Sequence, residues 1–382
     1  MTNIHPNAAL IGVTNGRSQL DTPALIVDHA ALKRNIARMA AFTQARGVAI
    51  RPHIKTHKNV EIARLQVAAG AIGVSCVTLG EAEVMVHAGI PGVLITSPAV
   101  TSSKISRLIA LAQQTKPDDL MIVVDNAQNV QALAQAARVL ERPLDVLVDY
   151  GAGYNRTGTL TEADAVALIA LVQTLPTLRL RGVQAYAGNI QHIPSLERRN
   201  EAAAQLRQAV ASIVATAREQ GAQIDIVTGA GTGTHALDAT GEVFTEIQAG
   251  SYVFMDADYS AVLADASGVA PFEVALFVQA AVVSTNARDW VTLDAGTKCL
   301  ATDSGVTSVA KGVDKSVRYG FFGDEHGKLM MGADEAARPE LGAKIELVTP
   351  HCDPTVNLHD FFHVVEGDTL IALWPIHARG KR

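Results

Sequence analysis

Short apolar runs alternate with amphipathic segments along most of the 382-residue chain, and this alternation constrains the fold most strongly. Apolar residues at helical spacing, such as Leu32, Ile36 and Met39, follow the first run. The runs themselves have the length of strands buried on both faces; they are ALIV, VAIRP, AIGVSC, GVLITSP, LMIVVD, LDVLVDYG, LRGVQAYAG and AQIDIVTG. About eight β–α repeats over residues 21–260 therefore predict an α/β fold of the (β/α)8 TIM barrel type.

An open doubly wound α/β sheet is the alternative fold for such an alternation. Its dinucleotide-binding form carries a GxGxxG sequence after the first strand. The first apolar run is followed instead by DHAALKRN, which has no glycine. The barrel is therefore the predicted fold.

The rhythm of the sequence changes after about residue 270. Segments there look like strands separated by turn residues, and helical periodicity is scarce; they are FEVALFVQAAVVST, DWVTLDAG, KSVRYGFF, AKIELVTP and HVVEGDTLIALWP. We predict a cofactor-binding barrel domain over residues 21–265 and a C-terminal β domain over residues 266–382. Residues 1–20 are expected to pack with the β domain.

Composition excludes several classes of protein. A net charge of −6 and the absence of a basic run argue against a nucleic-acid partner. The longest apolar stretches are too short for a membrane span, and MTNIHPNAALIG lacks the features of a signal peptide. The three cysteines are far apart, so no disulfide is predicted. We expect a soluble cytoplasmic protein with no membrane partner.

The octet RPHIKTHK, residues 51–58, lies where a predicted strand passes into a helix. Barrel enzymes place their chemistry at the carboxyl ends of strands. A lysine held partly out of water at such a point can lose its proton and act as an amine nucleophile. Lys55 is therefore the candidate for a Schiff base with pyridoxal phosphate.

Two further stretches at predicted strand ends carry polar side chains. In VDYGAGYNRTG, glycines permit close backbone approach and Arg156 projects from a tight turn; in QAYAGNIQH, the candidates are Tyr186 and His192. Taken alone, the first equally fits an ordinary βα loop with a surface arginine. A single tyrosine at a strand end is more often a packing residue than a catalytic one.

A glycine-rich stretch, VTGAGTGTH at residues 227–235, could bind a phosphate group. Its small residues leave backbone N–H groups free to face an anion. Barrels frequently bind phosphate in the loops after strands 7 and 8, where this stretch falls. AGSYVF follows at residues 249–254, and its Gly250 and Ser251 could complete the phosphate site.

PHCDP, residues 350–354, is a candidate metal site in the β domain. In an extended segment His351 and Asp353 point to one side and Cys352 to the other. An imidazole and a carboxylate so placed can chelate one divalent ion, with water or substrate in the remaining positions. A polar turn between strands is the alternative for an isolated His-x-Asp.

Together these stretches resemble the D-threonine aldolase and D-serine dehydratase family, whose members are pyridoxal-phosphate enzymes with the alanine-racemase-like barrel of fold type III. The resemblance extends from DTPALIVD at residue 21 to WPIHARG near the C-terminus. Its most specific motifs are RPHIKTHK, GAGTGT, FMDADY, GDEHG and HCDPTVNLHD. It implies an α/β fold made of an alanine-racemase-type TIM barrel with a C-terminal β domain.

The resemblance also implies roles for individual residues. Lys55 would carry the cofactor, Arg156 and Tyr186 would contact its ring, and the phosphate would be held by Thr232, Gly250 and Ser251. His351 and Asp353 would bind a metal beside the cofactor. His192 and Asp324 would lie near the substrate or a metal-bound water and are the further catalytic candidates.

The implied reaction is a retro-aldol cleavage of a D-3-hydroxy amino acid, such as D-threonine or 3-hydroxyaspartate, to glycine and an aldehyde. The alternative is dehydration of D-serine or 3-hydroxyaspartate to a 2-oxo acid and ammonia. The same resemblance implies that dehydratases of the family bind zinc through a His-x-Cys pair. In this chain the residue two positions after His351 is Asp353 instead of cysteine. This harder ligand favours Mn²⁺ or Mg²⁺ and the aldolase.

Two alternative functions from other classes stay open. One is a non-catalytic carrier of pyridoxal phosphate, and the other is a metal-dependent barrel enzyme that does not use pyridoxal phosphate. The β domain with its metal pair argues against the carrier, and the phosphate loop against the second. By analogy with the family we expect a homodimer acting on a small-molecule substrate.

Overall fold

The structure of the protein is a computed structural model that describes residues 5–331 and 338–382. The described residues form two compact units. The barrel unit contains residues 38–55, 60–250 and 380–382. The sheet unit contains residues 5–37 and 56–59 together with the described part of residues 251–379.

The strands vary in length from two to nine residues. In chain order they are β1 (Ala24–Asp28), β2 (Ala49–Ile50), β3 (Val74–Cys76), β4 (Val93–Ile95), β5 (Leu120–Val124), β6 (Leu144–Asp149), β7 (Leu178–Ala185), β8 (Ile226–Gly229), β9 (Glu246–Ile247), β10 (Leu276–Ser284), β11 (Trp290–Leu293), β12 (Ser308–Lys311), β13 (Arg318–Phe321), β14 (Gly327–Met330), β15 (Lys344–Val348), β16 (Phe361–Glu366) and β17 (Thr369–Pro375).

Most of the helices follow strands. In chain order they are α1 (His29–Gln44), α2 (Val60–Ala68), α3 (Leu79–His87), α4 (Ser102–Ala112), α5 (Ala127–Ala136), α6 (Glu162–Gln173), α7 (Leu196–Glu219), α8 (His235–Asp238), α9 (Ala257–Leu263) and α10 (Cys352–Val356). Polar side chains fix several starts. Thr78 and Glu81 form a capping box on α3, and Asn126 accepts hydrogen bonds from the first turn of α5.

The helix expected to follow directly from the octet begins only at Val60, after the octet has ended. Residues Ile54–Thr56 form a 3-10 turn, and Lys58 has a left-handed backbone with φ of 51°. An α-helix cannot pass through a residue in that conformation. The octet is therefore an irregular connection that holds its side chains in fixed, non-helical positions.

Parallel strands form the core of the barrel unit. Among the described residues, eight strands pair in the order β2-β9-β8-β7-β6-β5-β4-β3, each parallel to its neighbour. A parallel bridge between His53 and Ser75 joins the end of β2 to β3 and closes the ring. The predicted (β/α)8 barrel is confirmed. The apolar strand residues that face the helices form one continuous buried cluster.

The first predicted strand does not belong to the barrel. β1 pairs antiparallel with β10 and parallel with β16, both in the sheet unit. The prediction that ALIV opens the barrel repeats is therefore wrong, and the ring begins at β2. An apolar run buried on both faces has the same appearance in either sheet, and its partner β16 lies more than 330 residues away in sequence.

The sheet unit is built on a predominantly antiparallel sheet. Its strands within the described part of the chain pair in the order β11-β14-β13-β12-β15-β10-β1-β16-β17. The chain before β1 packs on this sheet, since the backbone N–H of Gly12 donates to Leu370 O and Arg17 pairs with Glu346. The C-terminal β domain is confirmed, while the division between residues 265 and 266 stays a prediction.

The helices give no sign of a membrane span. Over residues 5–331 and 338–382, none of them combines the length and the apolar character that crossing a bilayer requires.

A buried ion pair stands where β2 and β9 meet. Ala49 pairs with Glu246 across the strands, and the Arg51 guanidinium binds both oxygens of Glu246 at 2.8 and 2.9 Å. Arg51 also donates to the carbonyl of Gly92. Both side chains are buried, so neither charge could find water if the other were removed.

We therefore predict that Glu246→Gln lowers the free energy of unfolding by about 3–5 kcal/mol, because it leaves a buried guanidinium without its carboxylate. Urea denaturation followed by circular dichroism measures this value. Glu61→Gln is the matched control: Glu61 pairs with Arg64 at 2.8 Å on the surface of α2, so its loss should cost less than about 1 kcal/mol. Equal effects of the two substitutions would contradict the prediction.

Candidate active site

Most of the predicted site residues follow directly after barrel strands. Because the strands are parallel and form a closed ring, every segment that follows one of them lies at the same end of the barrel. These residues are Lys55 after β2, Arg156 after β6, Tyr186 and His192 after β7, Thr232 after β8 and Gly250 after β9.

Lys55 lies in the middle of a buried segment. Of the ten residues from 51 to 60, nine are buried and Lys55 is the partly exposed one. Its backbone N–H donates to His53 Nδ1 at 3.3 Å, and His53 Nε2 lies 3.1 Å from Thr96 Oγ1. The segment around the candidate nucleophile is thus fixed by hydrogen bonds to a neighbouring strand end.

Gly250 lies against the same segment. A Cβ atom on Gly250 would stand 2.6 Å from the carbonyl oxygen of His53, so only glycine fits between the two chains. The structure therefore brings the end of β9 next to the octet. Ser251 follows Gly250 in the chain, is buried and begins the 3-10 turn Ser251–Val253 in the sheet unit.

The glycine-rich loop after β8 is tied to the loop after β7 by Gln191. The Gln191 amide accepts from the backbone N–H of Thr234 and donates to its hydroxyl, both at 3.1 Å. A Cβ atom at Gly231 or Gly233 would stand 2.5 or 2.1 Å from Gln191. Glycine is therefore required at position 233, where the close atoms are Gln191 backbone; at Gly231 they belong to the Gln191 side chain. Thr232 is buried within the loop.

Tyr186 and His192 lie on either side of the 3-10 turn Gly188–Ile190. Tyr186 comes directly after β7 and is half-buried, whereas His192 is exposed. Both positions are at the predicted end of the barrel.

Arg156 lies on an exposed loop that a carboxylate at the end of β6 holds in place. Asp149 Oδ2 accepts a hydrogen bond from Thr157 Oγ1 at 2.9 Å, and the Asp149 carbonyl accepts one from the Thr159 N–H. Asn155 has a left-handed backbone with φ of 50° immediately before Arg156. The arginine is thus presented by a tight, anchored turn.

Asp149 is itself buried, with 3% of its surface exposed. Burial raises its pKa to about 6, and the nearby Asp125 carboxylate acts in the same direction. Hydrogen bonds from Gln184 and Thr157 and the charge of Arg156 partly oppose that rise. A carboxyl group that titrates close to neutral pH therefore lies beside the predicted site.

His351 and Asp353 lie in the sheet unit, and their local geometry differs from the prediction. The segment is not extended. His351 caps α10 and Asp353 lies in its first turn, so the argument from alternating strand side chains is wrong. The Cys352 N–H donates to Asp256 Oδ2 at 3.0 Å, which turns the chain into the helix. The Cys352 side chain is fully buried, and burial raises the pKa of its thiol well above the usual value.

Asp303 adds a carboxylate beside His351. Its Oδ2 lies 2.6 Å from His351 Nδ1, an arrangement that leaves Nε2 as the ring nitrogen for a metal. Across the residues that the structure describes, no group of three or more His, Cys, Asp and Glu side chains is arranged to hold an ion. A metal held by His351 and Asp353 would have these two protein ligands, and this ligand pair stays a prediction.

Asp324 lies in the exposed turn between β13 and β14. Its carbonyl accepts from the Lys298 N–H at 3.0 Å, and a Cβ atom at Gly296 would stand 2.4 Å from the same carbonyl. The turn is therefore packed closely on the loop after β11.

Three residues of this description were not predicted from the sequence: Asp149, Gln191 and Asp303. Asp149 had a signal, because a carboxylate ending the apolar run LDVLVD is costly to bury without a role. Gln191 and Asp303 had none, since each acts on a residue more than 40 positions away.

Comparisons with known proteins agree with this architecture. Residues 27–258 match the family model "Alanine racemase, N-terminal domain", and residues 275–365 match "Putative serine dehydratase domain".

Two curated relatives are similar to the chain over nearly its whole length. A D-threonine aldolase from Arthrobacter sp. is 39% identical over 363 residues, covering 95% of this chain and 94% of the relative. A 3-hydroxy-D-aspartate aldolase from Paracoccus denitrificans (strain Pd 1222) is 35% identical over 373 residues, covering 95% and 93%.

Among solved structures, the crystal structure of D-threonine aldolase from Filomicrobium marinum superimposes with a TM-score of 0.90 at 40% identity, covering 95% of this chain and 97% of that one. The matched models, the long alignments and the shared barrel together show that the chain belongs to the D-threonine aldolase and D-serine dehydratase family of alanine-racemase-like barrel proteins.

Proposed function

We propose that this protein is a pyridoxal-phosphate- and divalent-metal-dependent aldolase that cleaves D-3-hydroxy amino acids to glycine and an aldehyde. One observation carries the proposal: Lys55, at the carboxyl end of the barrel, is the partly exposed residue of a buried segment. The similarity to a D-threonine aldolase at 39% identity and to a 3-hydroxy-D-aspartate aldolase at 35% supports the substrate class.

The residues at the barrel end fit pyridoxal phosphate. At Gly233 and Gly250 the carbonyl oxygens of Gln191 and His53 occupy the space of a side chain, so the segments that would surround the cofactor pack closely at this end of the barrel. When bound, the cofactor supplies an electron sink for negative charge at the substrate Cα. The residues that would hold it are Lys55 through its amine, Arg156 and Tyr186 at its ring, and Thr232, Gly250 and Ser251 at its phosphate.

The donors His351 and Asp353 fit a hard divalent ion. A ligand pair of one imidazole nitrogen and one carboxylate suits Mn²⁺ or Mg²⁺. Zinc is selected by softer thiolate ligands, which this pair lacks. A bound ion would polarise the hydroxyl group of the substrate. Asp303 would hold the His351 ring in the orientation and tautomer that leave Nε2 available.

His192 is the candidate general base. It is an exposed imidazole on the loop after β7, and near neutral pH a histidine can accept a proton. In the proposed reaction it would take the proton of the substrate β-hydroxyl as the Cα–Cβ bond breaks. The role of Asp324, the homodimeric state and the cytoplasmic location stay predictions.

Dehydration is the competing reaction, because residues 275–365 match a dehydratase domain model. In that reaction Lys55 would remove the Cα proton and the hydroxyl group would leave. The carboxylate of Asp353 in the second ligand position favours the aldolase, because it makes the ligand pair harder.

The prediction for the cofactor concerns Lys55. The protein reconstituted with pyridoxal phosphate should absorb visible light, and Lys55→Ala should abolish that band and lower the cleavage rate roughly 10³-fold or more, because the amine that holds the cofactor is lost. Absorption spectra and steady-state kinetics measure both. Lys116→Ala removes an exposed barrel lysine and should change neither. A Lys55→Ala protein with an unchanged spectrum would overturn the assignment.

A separate prediction distinguishes aldol cleavage from dehydration. Incubation with D-threonine, pyridoxal phosphate and Mn²⁺ should yield glycine and acetaldehyde in equal amounts, since cleavage of the Cα–Cβ bond releases both. Amino-acid analysis and an alcohol-dehydrogenase assay quantify them. L-threonine under identical conditions is the control for stereochemistry. Formation of 2-oxobutyrate alone would establish the dehydratase instead.

The prediction for the metal concerns the proposed divalent ion at His351 and Asp353. His351→Ala should weaken Mn²⁺ binding at least about 100-fold, because one of two protein ligands is lost, and Asp303→Asn should weaken it about 10- to 100-fold through the orientation of His351. Isothermal titration of the metal-stripped protein gives these affinities without an activity assay. His87→Ala, a substitution on α3, is the matched control. Tight Mn²⁺ binding by the His351→Ala protein would remove the proposed metal site.

A further inference from the structure

Buried polar side chains form a hydrogen-bonded layer across the carboxyl end of the barrel. Gln184 at the end of β7 is its centre. The Gln184 amide donates to Asp149 Oδ1 at 2.9 Å and to the carbonyl of Thr96 at 3.3 Å. Its own oxygen accepts from Gln248 Nε2 at 3.1 Å, and Gln248 also donates to Thr228 Oγ1 at 3.0 Å.

This layer reaches the segment of the candidate nucleophile. Thr96, whose carbonyl accepts from Gln184, has its hydroxyl 3.1 Å from His53 Nε2. The other ring nitrogen of His53 accepts from the backbone N–H of Lys55. A chain of polar contacts therefore joins Asp149 on β6 to the backbone of Lys55.

Asp149 fixes the direction of these bonds. Its two carboxylate oxygens accept, one from Gln184 and one from Thr157. An amide has a donor end and an acceptor end, so an acceptor at Asp149 forces the Gln184 nitrogen toward it and leaves the oxygen for Gln248. The Thr96 carbonyl, also an acceptor, requires the same orientation, so Asp149 and Thr96 together set the direction of the Gln184 amide and of its bond to Gln248.

The same carboxylate anchors the loop of Arg156. Thr157, the next residue, donates to Asp149, and Gly158 N–H donates to Asp125 Oδ2 at 3.0 Å. Arg156 is thus preceded by a left-handed residue and followed by two residues bound to carboxylates. Its position is determined by Asp149 and Asp125.

We propose that Asp149 is a positioning residue: its buried carboxylate sets the Arg156 loop on one side and, through Gln184, Thr96 and His53, the Lys55 segment on the other. This inference rests on the proposed function, because it takes Arg156 and Lys55 as contacts of the cofactor. The Asp149 carboxylate bonds Gln184 and Thr157, and it would act through these neighbours.

The negative charge of the Asp149 carboxylate, and not only its shape, is required for this positioning role. Asparagine would fill the same volume and could bond Gln184 and Thr157, yet a carboxylate is retained at the cost of burying a charge. The charged groups facing it are Asp125, at the end of the neighbouring strand, and Arg156, on its own loop. Protonation below about pH 6 would remove the charge and weaken both acceptor bonds.

The test measures pyridoxal phosphate affinity of the full-length protein at pH 8 and pH 5, by titration of the visible absorption. At pH 8, Asp149→Asn should weaken binding about ten-fold, because charge-assisted hydrogen bonds become neutral ones. At pH 5 the wild-type carboxyl is also neutral, so the two proteins should bind alike. Thr157→Val, which removes one donor to Asp149, should weaken binding at pH 8 in the same direction.

Asp145→Asn is the matched control. Asp145 lies on the same strand, is fully buried and is paired with Arg179 at the opposite end of the barrel. This substitution should lower the melting temperature without changing cofactor affinity at either pH.

The outcomes are distinguishable. A wild-type protein that binds no pyridoxal phosphate overturns the proposed function and this inference with it. If the wild type binds, an Asp149→Asn protein of equal affinity at pH 8 overturns the inference alone. A loss that is the same at both pH values would show a packing role and would also overturn it, as would an unchanged Thr157→Val protein.

Discussion

The pairing of β2 with β9, the first and last strands of the barrel, is the constraint on which the rest of the site depends. These are two-residue strands, paired only through Ala49 with Glu246 and Ile50 with Ile247. So short a ladder offers few backbone hydrogen bonds, and the buried pair of Arg51 and Glu246 joins the strands at the same point. Arg51 opens the octet that carries Lys55, so the contact that joins the first and last strands of the barrel also fixes where the octet begins.

Ring closure explains why residues far apart in sequence lie at one end of the molecule. Parallel strands place every following segment on the same side, so His53 and Gly250, separated by 197 positions, come next to each other. Glycine is required at position 250 because the His53 carbonyl occupies the space of a side chain. The composition of the glycine-rich stretches thus reflects close packing between loops as much as the binding of an anion.

Much of the barrel and the location of its candidate site could be predicted from the sequence, because both follow from a local pattern. Each barrel strand is an apolar run, and the polar stretch that follows it falls at the carboxyl end of the barrel. The assignment of β1 failed because an apolar run does not encode its partner, and here β10 and β16 pair with it. The geometry of His351 and Asp353 failed for a related reason: the Cys352 N–H is bound by Asp256, nearly a hundred residues earlier, which makes the segment helical.

The polar layer was harder to predict from the sequence, since its members are glutamines, threonines and one aspartate spread over five strand ends. Individually they look like ordinary strand residues. In the fold their donors and acceptors match, and each buried group finds a partner, as buried polar groups must.

A layer of this kind has a consequence for how the site can vary. Its bond directions are coupled, so reversing one amide would leave a donor facing a donor further along. Substitutions within it are therefore expected to act together, whereas the exposed His192 and Arg156 project from loops and can change one at a time. The loop residues can therefore be substituted without displacing the strand ends, as long as the buried layer holds those ends in position.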